Sequence, residues 1–266
     1  MAILDGTVTL SAYTLCNLIR RRGGEPHKVI GETAAFYDPD AERKLDQEVN
    51  ATLTKAGLMG PRGMDRDLLA LIDSISHPHL EFYGWFDGQF EDGSPSKFGA
   101  LVGSGNGGGF GLVRVGGSPN LAVTRQRPEL LLDTFLDIVP RAKTPVGEQL
   151  IVSRTEYETG RSADVDDAPR GGIMMSAPSR TQQLSPLKEI QRIMKEPRIG
   201  SGALYAAART RSGQRRRIPK PINFVDIAEG RWLMEERPGR ESLVVYSPGS
   251  RQAIQERLRV AQSALG

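Results

Sequence analysis

The feature that most constrains the fold is a series of strand-like segments that begins after Pro197 and ends in a helix at Leu265. Short apolar segments alternate there with turns of two to five residues, a pattern that is typical of an antiparallel meander. After Pro248, apolar residues recur at helical spacing. The predicted strands are residues 202–209, 222–226, 231–234 and 242–246. The stretch therefore predicts a four-stranded sheet followed by a helix.

An earlier stretch repeats this order of elements with nearly the same spacing. Pro78 and Pro128 are 50 residues apart, and Pro197 and Pro248 are 51 residues apart. The strands predicted in the first stretch are residues 80–86, 98–103, 110–115 and 121–125, with a helix over 129–138. We therefore predict an α+β fold whose central antiparallel sheet is built from two pseudo-repeated four-strand meanders and is flanked by helical bundles. Prolines also mark helix boundaries for local reasons, so coincidental spacing is the alternative.

The chain of 266 residues is predicted to form a single domain with two halves. The N-terminal half covers residues 1–138, a connector covers 139–147, and the C-terminal half covers 148–266. Further helices are predicted after Ser11 and from Asp38 to a stop at Gly57. Residues 150–153 fit either a short strand or the start of a helix. Residues 158–183 lack a helical period and are predicted to form a long loop.

Composition and the N-terminal sequence predict a soluble cytoplasmic protein. The hydrophobic fraction is 38% and the charged fraction is 25%, as in ordinary globular proteins. No apolar segment is long enough to span a membrane, and the first residues lack the pattern of a signal peptide. The single cysteine, Cys16, excludes an intramolecular disulfide and is predicted to be a small core residue.

Motifs that would indicate an enzyme occur only in unsuitable contexts. Residues 103–111 are rich in glycine but lie between two strands and lack the lysine of a phosphate-binding loop, so they predict a flexible hairpin loop. Ser94 and Lys97 match Ser-x-x-Lys, but a proline lies inside the motif. His77 and His79 flank a proline and are expected to diverge. We therefore predict no catalytic residue, cofactor or metal; a hydrolase would require both histidines and a carboxylate in one cleft.

An arginine-rich hairpin over residues 209–217 supports an alternative function, that of a nucleic-acid-binding module. Clustered guanidinium groups can neutralise phosphates. However, no aromatic residue interrupts the cluster, and charges on an edge strand also prevent unwanted strand pairing. The net charge of +3 is only mildly basic. Nucleic-acid binding is therefore the second hypothesis.

The order of several short motifs resembles the EspG family of type VII (ESX) secretion-associated proteins of actinobacteria. The motifs are residues 224–231 and 246–249, the segment 80–85 after Pro78, the early helix from Leu10, the helix 40–58 and the midpoint 140–145. The resemblance implies a single α/β domain with a quasi-two-fold relation between its halves. It also implies a cytosolic chaperone, not an enzyme, which binds the apolar helical tip of a secreted substrate such as a PE-PPE heterodimer and delivers it for export.

Three segments are predicted to contact that partner. Alternate residues of a strand share one face, so Tyr205, Ala207 and Arg209 project together, and so do Asn223, Val225 and Ile227. The loop 87–96 supplies Asp87, Phe90 and Glu91. An arginine rim around an apolar patch would orient the partner. Either strand face could instead pack on the protein's own helices.

Some features depart from the family pattern. The glycine-rich loop, the arginine hairpin and the long loop are not associated with the family. The partner could therefore be a WXG-type helical hairpin or another secreted helical protein instead of a PE-PPE pair. We expect no small-molecule substrate and no membrane insertion, and we expect a monomer or a weak dimer.

Overall fold

A computed structural model describes residues 7–31, 38–89, 95–161 and 184–265. The chain forms two compact units. Unit 1 comprises Met1–Arg141, Gly202–Pro221 and Ile254–Gly266, and unit 2 comprises Ala142–Ser201 and Ile222–Ala253. The boundaries of these units differ from those of the predicted halves, because the arginine hairpin and most of the last helix are grouped with the N-terminal segment.

The elements of the chain follow one another in an α+β order. The strands are β1 Val8–Ser11, β2 Met59–Gly60, β3 Gly63–Met64, β4 Leu80–Gln89, β5 Pro95–Gly105, β6 Gly108–Val115, β7 Asn120–Gln126, β8 Leu150–Ser153, β9 Gly200–Arg209, β10 Arg215–Arg217, β11 Ile222–Ile227, β12 Gly230–Arg237 and β13 Leu243–Pro248. The helices are α1 Ala12–Arg21, α2 Pro39–Lys55, α3 Arg66–Ser76, α4 Leu131–Ile138, α5 Arg154–Thr159, α6 Pro186–Lys195 and α7 Arg251–Ser263. None of these helices is long and apolar enough to cross a membrane.

The sheet of unit 1 contains the first predicted meander. Its strand order is β1-β7-β6-β5-β4-β9, and β10 pairs with β9. Strands β4 to β7 pair antiparallel in sequence order, with Tyr83 opposite Leu101, Leu101 opposite Leu112, and Leu112 opposite Val123. The short strand β1 continues the sheet beyond β7. The predicted α+β fold with an antiparallel sheet is therefore confirmed.

Helices α1, α2 and α3 cover one face of this sheet and form the main core of unit 1 with it. The core residues include Leu15, Leu18 and Ile19 of α1, Leu45, Val49 and Leu53 of α2, Leu68, Leu71 and Ile72 of α3, and Tyr83, Leu101, Phe110, Leu112 and Val123 of the strands. On the opposite face, Phe135 of α4 packs against Phe82 and Phe86 of β4, with ring centroids 6.2 and 6.5 Å apart. The first meander is therefore a two-faced sheet with helices on both sides.

The predicted starts of α1 and α2 are confirmed. The Ser11 hydroxyl accepts a hydrogen bond from the Thr14 N–H at 3.0 Å, and Asp38 accepts one from the Asp40 N–H at 3.0 Å. Both are N-caps that satisfy otherwise free amides of the first helical turn. Helix α2 ends just before Gly57, whose φ of +72° places it in the left-handed region.

The glycine-rich segment 103–111 forms the turn between β5 and β6. Gly105 is opposite Gly108, so Asn106-Gly107 is a two-residue hairpin turn. A side chain at Gly107 would overlap the carbonyl of Ala70, and one at Gly105 would lie 2.7 Å from Cα of Ser74. The glycines therefore allow the hairpin to pack directly on α3, which agrees with the predicted hairpin and not with a phosphate loop.

Unit 2 contains an antiparallel sheet with the strand order β11-β12-β13-β8. The ambiguous residues 150–153 form strand β8, and Ser153 then caps α5 in a capping box with Glu156. Helix α6 packs its apolar side on one face of this sheet. The core there consists of Val152, Leu187, Ile190, Ile193, Ile227, Trp232, Val244 and Tyr246.

A buried ion pair joins β11 and β12 on the other face of the unit 2 sheet. Nε of Arg231 donates to Oδ1 of Asp226, and Nη2 donates to Oδ2, both at 2.7 Å. The guanidinium carbon lies 3.9 Å above the centre of the Phe224 ring. The backbone N–H of Arg231 also donates to the carbonyl of Lys143. The motif 224–231 therefore combines a strand pair with a contact to the connector.

Candidate partner-binding surface

The side chains of strand β4 lie on two faces of the sheet and have different surroundings. Alternate residues lie on opposite faces of a strand. Phe82 and Phe86 face α4, whereas Tyr83 belongs to the core under α1 to α3. Trp85 lies on the same face as Tyr83 but remains 37% exposed. The face that carries helices α1 to α3 is therefore open at Trp85.

Aromatic rings from β4, β9 and the segment after α1 form a cluster at this opening. Tyr83 stacks on Tyr205 with centroids 5.0 Å apart, and Trp85 meets both rings edge-on at 5.5 and 5.6 Å. His27 packs edge-on against Tyr83 at 4.4 Å. Such offset and edge-on pairs stabilise beyond their buried area, so the cluster holds Trp85 in a defined position.

Two arginines of β10 lie over these rings. Because Arg215 pairs with Arg209 and Arg217 with Ala207, both lie on the face of β9 that carries Tyr205. The guanidinium of Arg215 is 5.7 Å from the Tyr83 centroid, and that of Arg217 is 5.3 Å from the Tyr205 centroid, within cation–π range. Both arginines also hydrogen-bond the Tyr83 hydroxyl, which opposes the rise in the pKa of Tyr83 caused by burial. We call the set His27, Tyr83, Trp85, Tyr205, Arg215 and Arg217 the aromatic–arginine patch.

A buried carboxylate fixes one of these arginines. Nε of Arg215 donates to Oε2 of Glu81 at 2.6 Å, and the Glu81 side chain is 3% exposed. Burial raises the pKa of Glu81, while the positive charge of Arg215 opposes this rise. An isolated buried charge is costly, so Glu81 needs Arg215 as its partner, and the pair links β10 to β4 across β9.

A cavity of about 490 Å³ lies beside the patch. Its lining includes His27, Glu81, Trp85, Arg209 and Arg217. Burial, followed by the charges of Arg215, Lys28 and Arg217, lowers the pKa of His27 to about 3. The imidazole is therefore neutral near pH 7. Its Nδ1 accepts the N–H of Val29 at 3.1 Å, which leaves the proton on Nε2 as a donor.

The three residues predicted on β9 share a face but differ in exposure. Tyr205 belongs to the patch and is partly exposed. Ala207 is fully buried in the core, so its side chain is not accessible. Arg209 donates from Nη1 to the carbonyl of Gly213 at 2.7 Å and from Nε to that of Pro78 at 3.3 Å.

The predicted loop residues are only partly described. Asp87 is exposed near the end of β4, on the face that carries Trp85, and forms an ion pair of 3.1 Å with Lys97. Phe90 and Glu91 lie outside the described residues. Asp87 therefore lies on the same strand face as the patch.

The residues predicted on β11 also share one face, and this face packs on α6. Ile227 is buried in the core of unit 2 and Val225 packs against that core. Asn223 lines a small cavity of about 160 Å³ together with Tyr157 and Met234. In unit 2, the alternative that a strand face packs on the protein's own helices therefore applies to Ile227.

Sequence reasoning missed most of the patch. Glu81, Tyr83 and Trp85 alternate along a predicted strand, and this period of two was the available signal. The arginine hairpin contains no aromatic residue, but the fold brings Tyr83 and Tyr205 beneath it. Among the described residues, no group of three His, Cys, Asp or Glu could hold a metal ion.

The comparisons with known proteins agree with this fold. The model of the EspG family matches residues 17–260. A search of curated proteins finds no significant match. Among solved structures, the Mycobacterium tuberculosis type VII secretion system chaperone EspG5, in complex with a PE25-PPE41 dimer, is similar, with a TM-score of 0.61 and 13% identity. The match covers 98% of this chain and 97% of that chain. At this identity the likeness shows a shared fold.

Proposed function

The chain belongs to the EspG family, and from this premise we propose that it is a cytoplasmic chaperone of type VII secretion that binds the helical tip of a PE-PPE dimer. It keeps the dimer soluble and delivers it for export. A helical protein with an exposed apolar tip tends to aggregate, and covering the tip requires a binding surface but no bond-making. We therefore assign no enzymatic activity.

The observation that supports this proposal best is the aromatic–arginine patch. Trp85 is 37% exposed, and stacked tyrosines hold it in place. Trp, Tyr and Arg are the residues that most often dominate protein–protein binding energy. Because the rings and guanidinium groups are already ordered by contacts with one another, little side-chain entropy is lost on binding.

The predicted site residues contribute to this surface in different ways. We propose that Tyr205 contacts the partner directly and that Arg209 and Asp87 form the polar rim of the surface. Phe90 and Glu91, which lie outside the described residues, remain proposed partner contacts. Ala207 supports the surface from the core. Asn223, Val225 and Ile227 belong to the other unit, and we propose no direct role for Ile227, since it is buried.

Co-expression with PE-PPE pairs tests the proposal. The wild-type chain is expected to co-elute with at least one pair in size-exclusion chromatography, and WXG-type helical hairpins form the comparison set. Trp85→Ala is expected to abolish co-elution because it removes the central exposed ring. Tyr13→Ala is the matched control, since Tyr13 is an aromatic residue of α1 that is 50% exposed and lies outside the patch.

The results separate the possible functions clearly. Loss of the complex in Trp85→Ala together with its retention in Tyr13→Ala supports the patch as the binding surface. Failure of every PE-PPE pair to co-elute with the wild-type chain would contradict the function. Binding to RNA or DNA that persists at physiological salt would instead favour the nucleic-acid hypothesis.

A further inference from the structure

The three arginines that line the cavity beside Trp85 differ in whether a carboxylate forms an ion pair with them. Arg215 is paired with the buried Glu81. Arg209 is held by two backbone carbonyls, and Arg217 by the Tyr83 hydroxyl and the Tyr205 ring. None of these carbonyl, hydroxyl and ring groups that contact Arg209 or Arg217 carries a negative charge. Among the described residues, no carboxylate forms an ion pair with either guanidinium, although Glu81, which lines the cavity together with Glu25, interacts electrostatically with Arg209.

The position of Arg217 is also unusually well defined for an exposed arginine. Its guanidinium is held between a hydroxyl from β4 and a ring from β9, so the entropy cost of ordering it has already been met within the protein. A carboxylate that approached it would form a charge-assisted hydrogen bond, which is stronger than a neutral one. The neutral imidazole of His27 adds a further N–H donor to the lining.

We propose that the cavity beside Trp85 accepts an Asp or Glu side chain from the helical tip of the bound PE-PPE dimer, and that Arg217 and Arg209 pair with it. This inference rests on the proposed function and adds the chemistry by which the partner is selected. The apolar part of the tip packs on Trp85 and Tyr205, while the carboxylate fixes its orientation. Such pairs determine specificity and register more than total affinity.

The test compares two adjacent arginines that differ in the face on which they lie. Arg217→Gln removes the charge but keeps a donor for the Tyr83 hydroxyl. Arg216→Gln is the matched control. Arg216 of β10 is opposite Ala208 of β9, so its side chain projects to the other face of the sheet. The affinity for the PE-PPE dimer that co-purifies with the wild-type chain is measured by titration calorimetry at low and high salt.

Arg217→Gln is expected to weaken binding about tenfold at low salt, the effect of about one charge-assisted hydrogen bond. Its affinity should also depend less on salt than that of the wild type. Arg216→Gln should bind as the wild type does, and Arg217→Lys should keep most of the salt dependence. Changing each Asp and Glu of the tip loops to Asn or Gln should identify one position that mimics Arg217→Gln and is not additive with it.

Two results would overturn the inference. Equal affinities of the two Gln variants would exclude a specific role for Arg217, while the effect of Trp85→Ala would still support the chaperone function. If no dimer binds the wild-type chain, the chaperone function fails and this inference fails with it. Should Arg217→Gln not fold, as judged by circular dichroism, wild-type affinity that does not change with salt would overturn it.

Discussion

Both units contain a short edge strand that leads directly into a capped helix. In unit 1, the four-residue strand β1 ends at Ser11, which caps α1, and β1 pairs with β7, the last strand of the first meander. In unit 2, the four-residue strand β8 ends at Ser153, which caps α5, and β8 pairs with β13, the last strand of the second meander. The pseudo-repeat predicted from proline spacing therefore extends to an additional edge strand and its cap.

In unit 1, helices α1 to α3 cover one face of the strands, and in unit 2, helix α6 does so. These two faces differ in how much aromatic surface remains exposed. In unit 1, the Trp85 ring near the end of β4 is 37% exposed and lines a cavity of about 490 Å³. In unit 2, the hydroxyl of Tyr246 is buried against Tyr157 and the sulfur atoms of Met194 and Met234, and the neighbouring cavity is about 160 Å³. Unit 1 can therefore provide a binding surface, while the corresponding face of unit 2 is filled by its own core.

The two tryptophans provide the strongest test of this difference. Trp232 is 2% exposed in the core of unit 2, and Trp232→Ala is expected to lower the free energy of unfolding by about 3–5 kcal/mol. Trp85→Ala should lower it by only about 1 kcal/mol, but should weaken binding of the PE-PPE dimer by about 2 kcal/mol or more. Denaturant unfolding followed by circular dichroism measures stability, and calorimetry measures binding.

Trp85→Phe and Trp232→Phe are the matched controls, since each keeps an aromatic ring. A loss of stability in Trp85→Ala as large as that in Trp232→Ala would show that both rings are core residues. The proposed contrast between an open and a filled face would then be incorrect.

Much of the fold could be predicted because strand and turn patterns are local. The four strands of the first meander were all predicted, with ends within a few residues. The polar composition of residues 87–96 predicts a loop, but residues 87–89 extend β4 and pair with residues 95–97 of β5. Strand β10 was not among the predicted strands, since three consecutive arginines have no strand-like pattern. Pairing with β9 determines its structure instead.

The candidate surface could be predicted only where it follows one strand. Alternation placed Tyr205 and Arg209 on one face, but it could not show that Ala207 is fully buried there. The position of Arg217 over Tyr205 depends on the register of the β9–β10 hairpin, which the turn sets. His27 lies in an irregular segment whose contact with Tyr83 arises from tertiary packing alone. Contacts between elements distant in sequence leave no periodic signal.

The acid sensitivity of unit 1 gives a second, smaller test. The pKa of His27 is about 3 in the folded protein, because of burial and the nearby positive charges, compared with an ordinary value of 6.5. The unfolded chain therefore takes up a proton near pH 6.5 that the folded chain does not. This difference in proton uptake does not affect the free energy of unfolding above pH 6.5. It lowers the free energy of unfolding as the pH falls towards 3, by about 1–2 kcal/mol at pH 5.

His27→Asn should remove this loss while its side-chain oxygen replaces Nδ1 as the acceptor for the Val29 N–H. Unfolding free energies of both proteins at pH 7.5 and pH 5 measure the difference, and His77→Asn is the control for loss of an exposed imidazole. In unit 2, burial raises the pKa of Tyr246, so that hydroxyl is neutral throughout this pH range. An unchanged pH profile in His27→Asn would argue against a buried, neutral imidazole beside the patch.

Substitution of the two capping serines tests whether the edge strand and its helix cap have the same role in both units. The expected effect is the smallest of the three. Ser11→Ala and Ser153→Ala should each lower the free energy of unfolding by about 1 kcal/mol, because each leaves amides of the first helical turn unsatisfied. Ser→Asn at the same positions should restore most of the loss, since asparagine is an equally good cap. Because the caps serve the same role in both units, neither alanine variant should change the affinity for the dimer. A change in affinity in one of them alone would show that the corresponding helices have diverged in function as well as in packing.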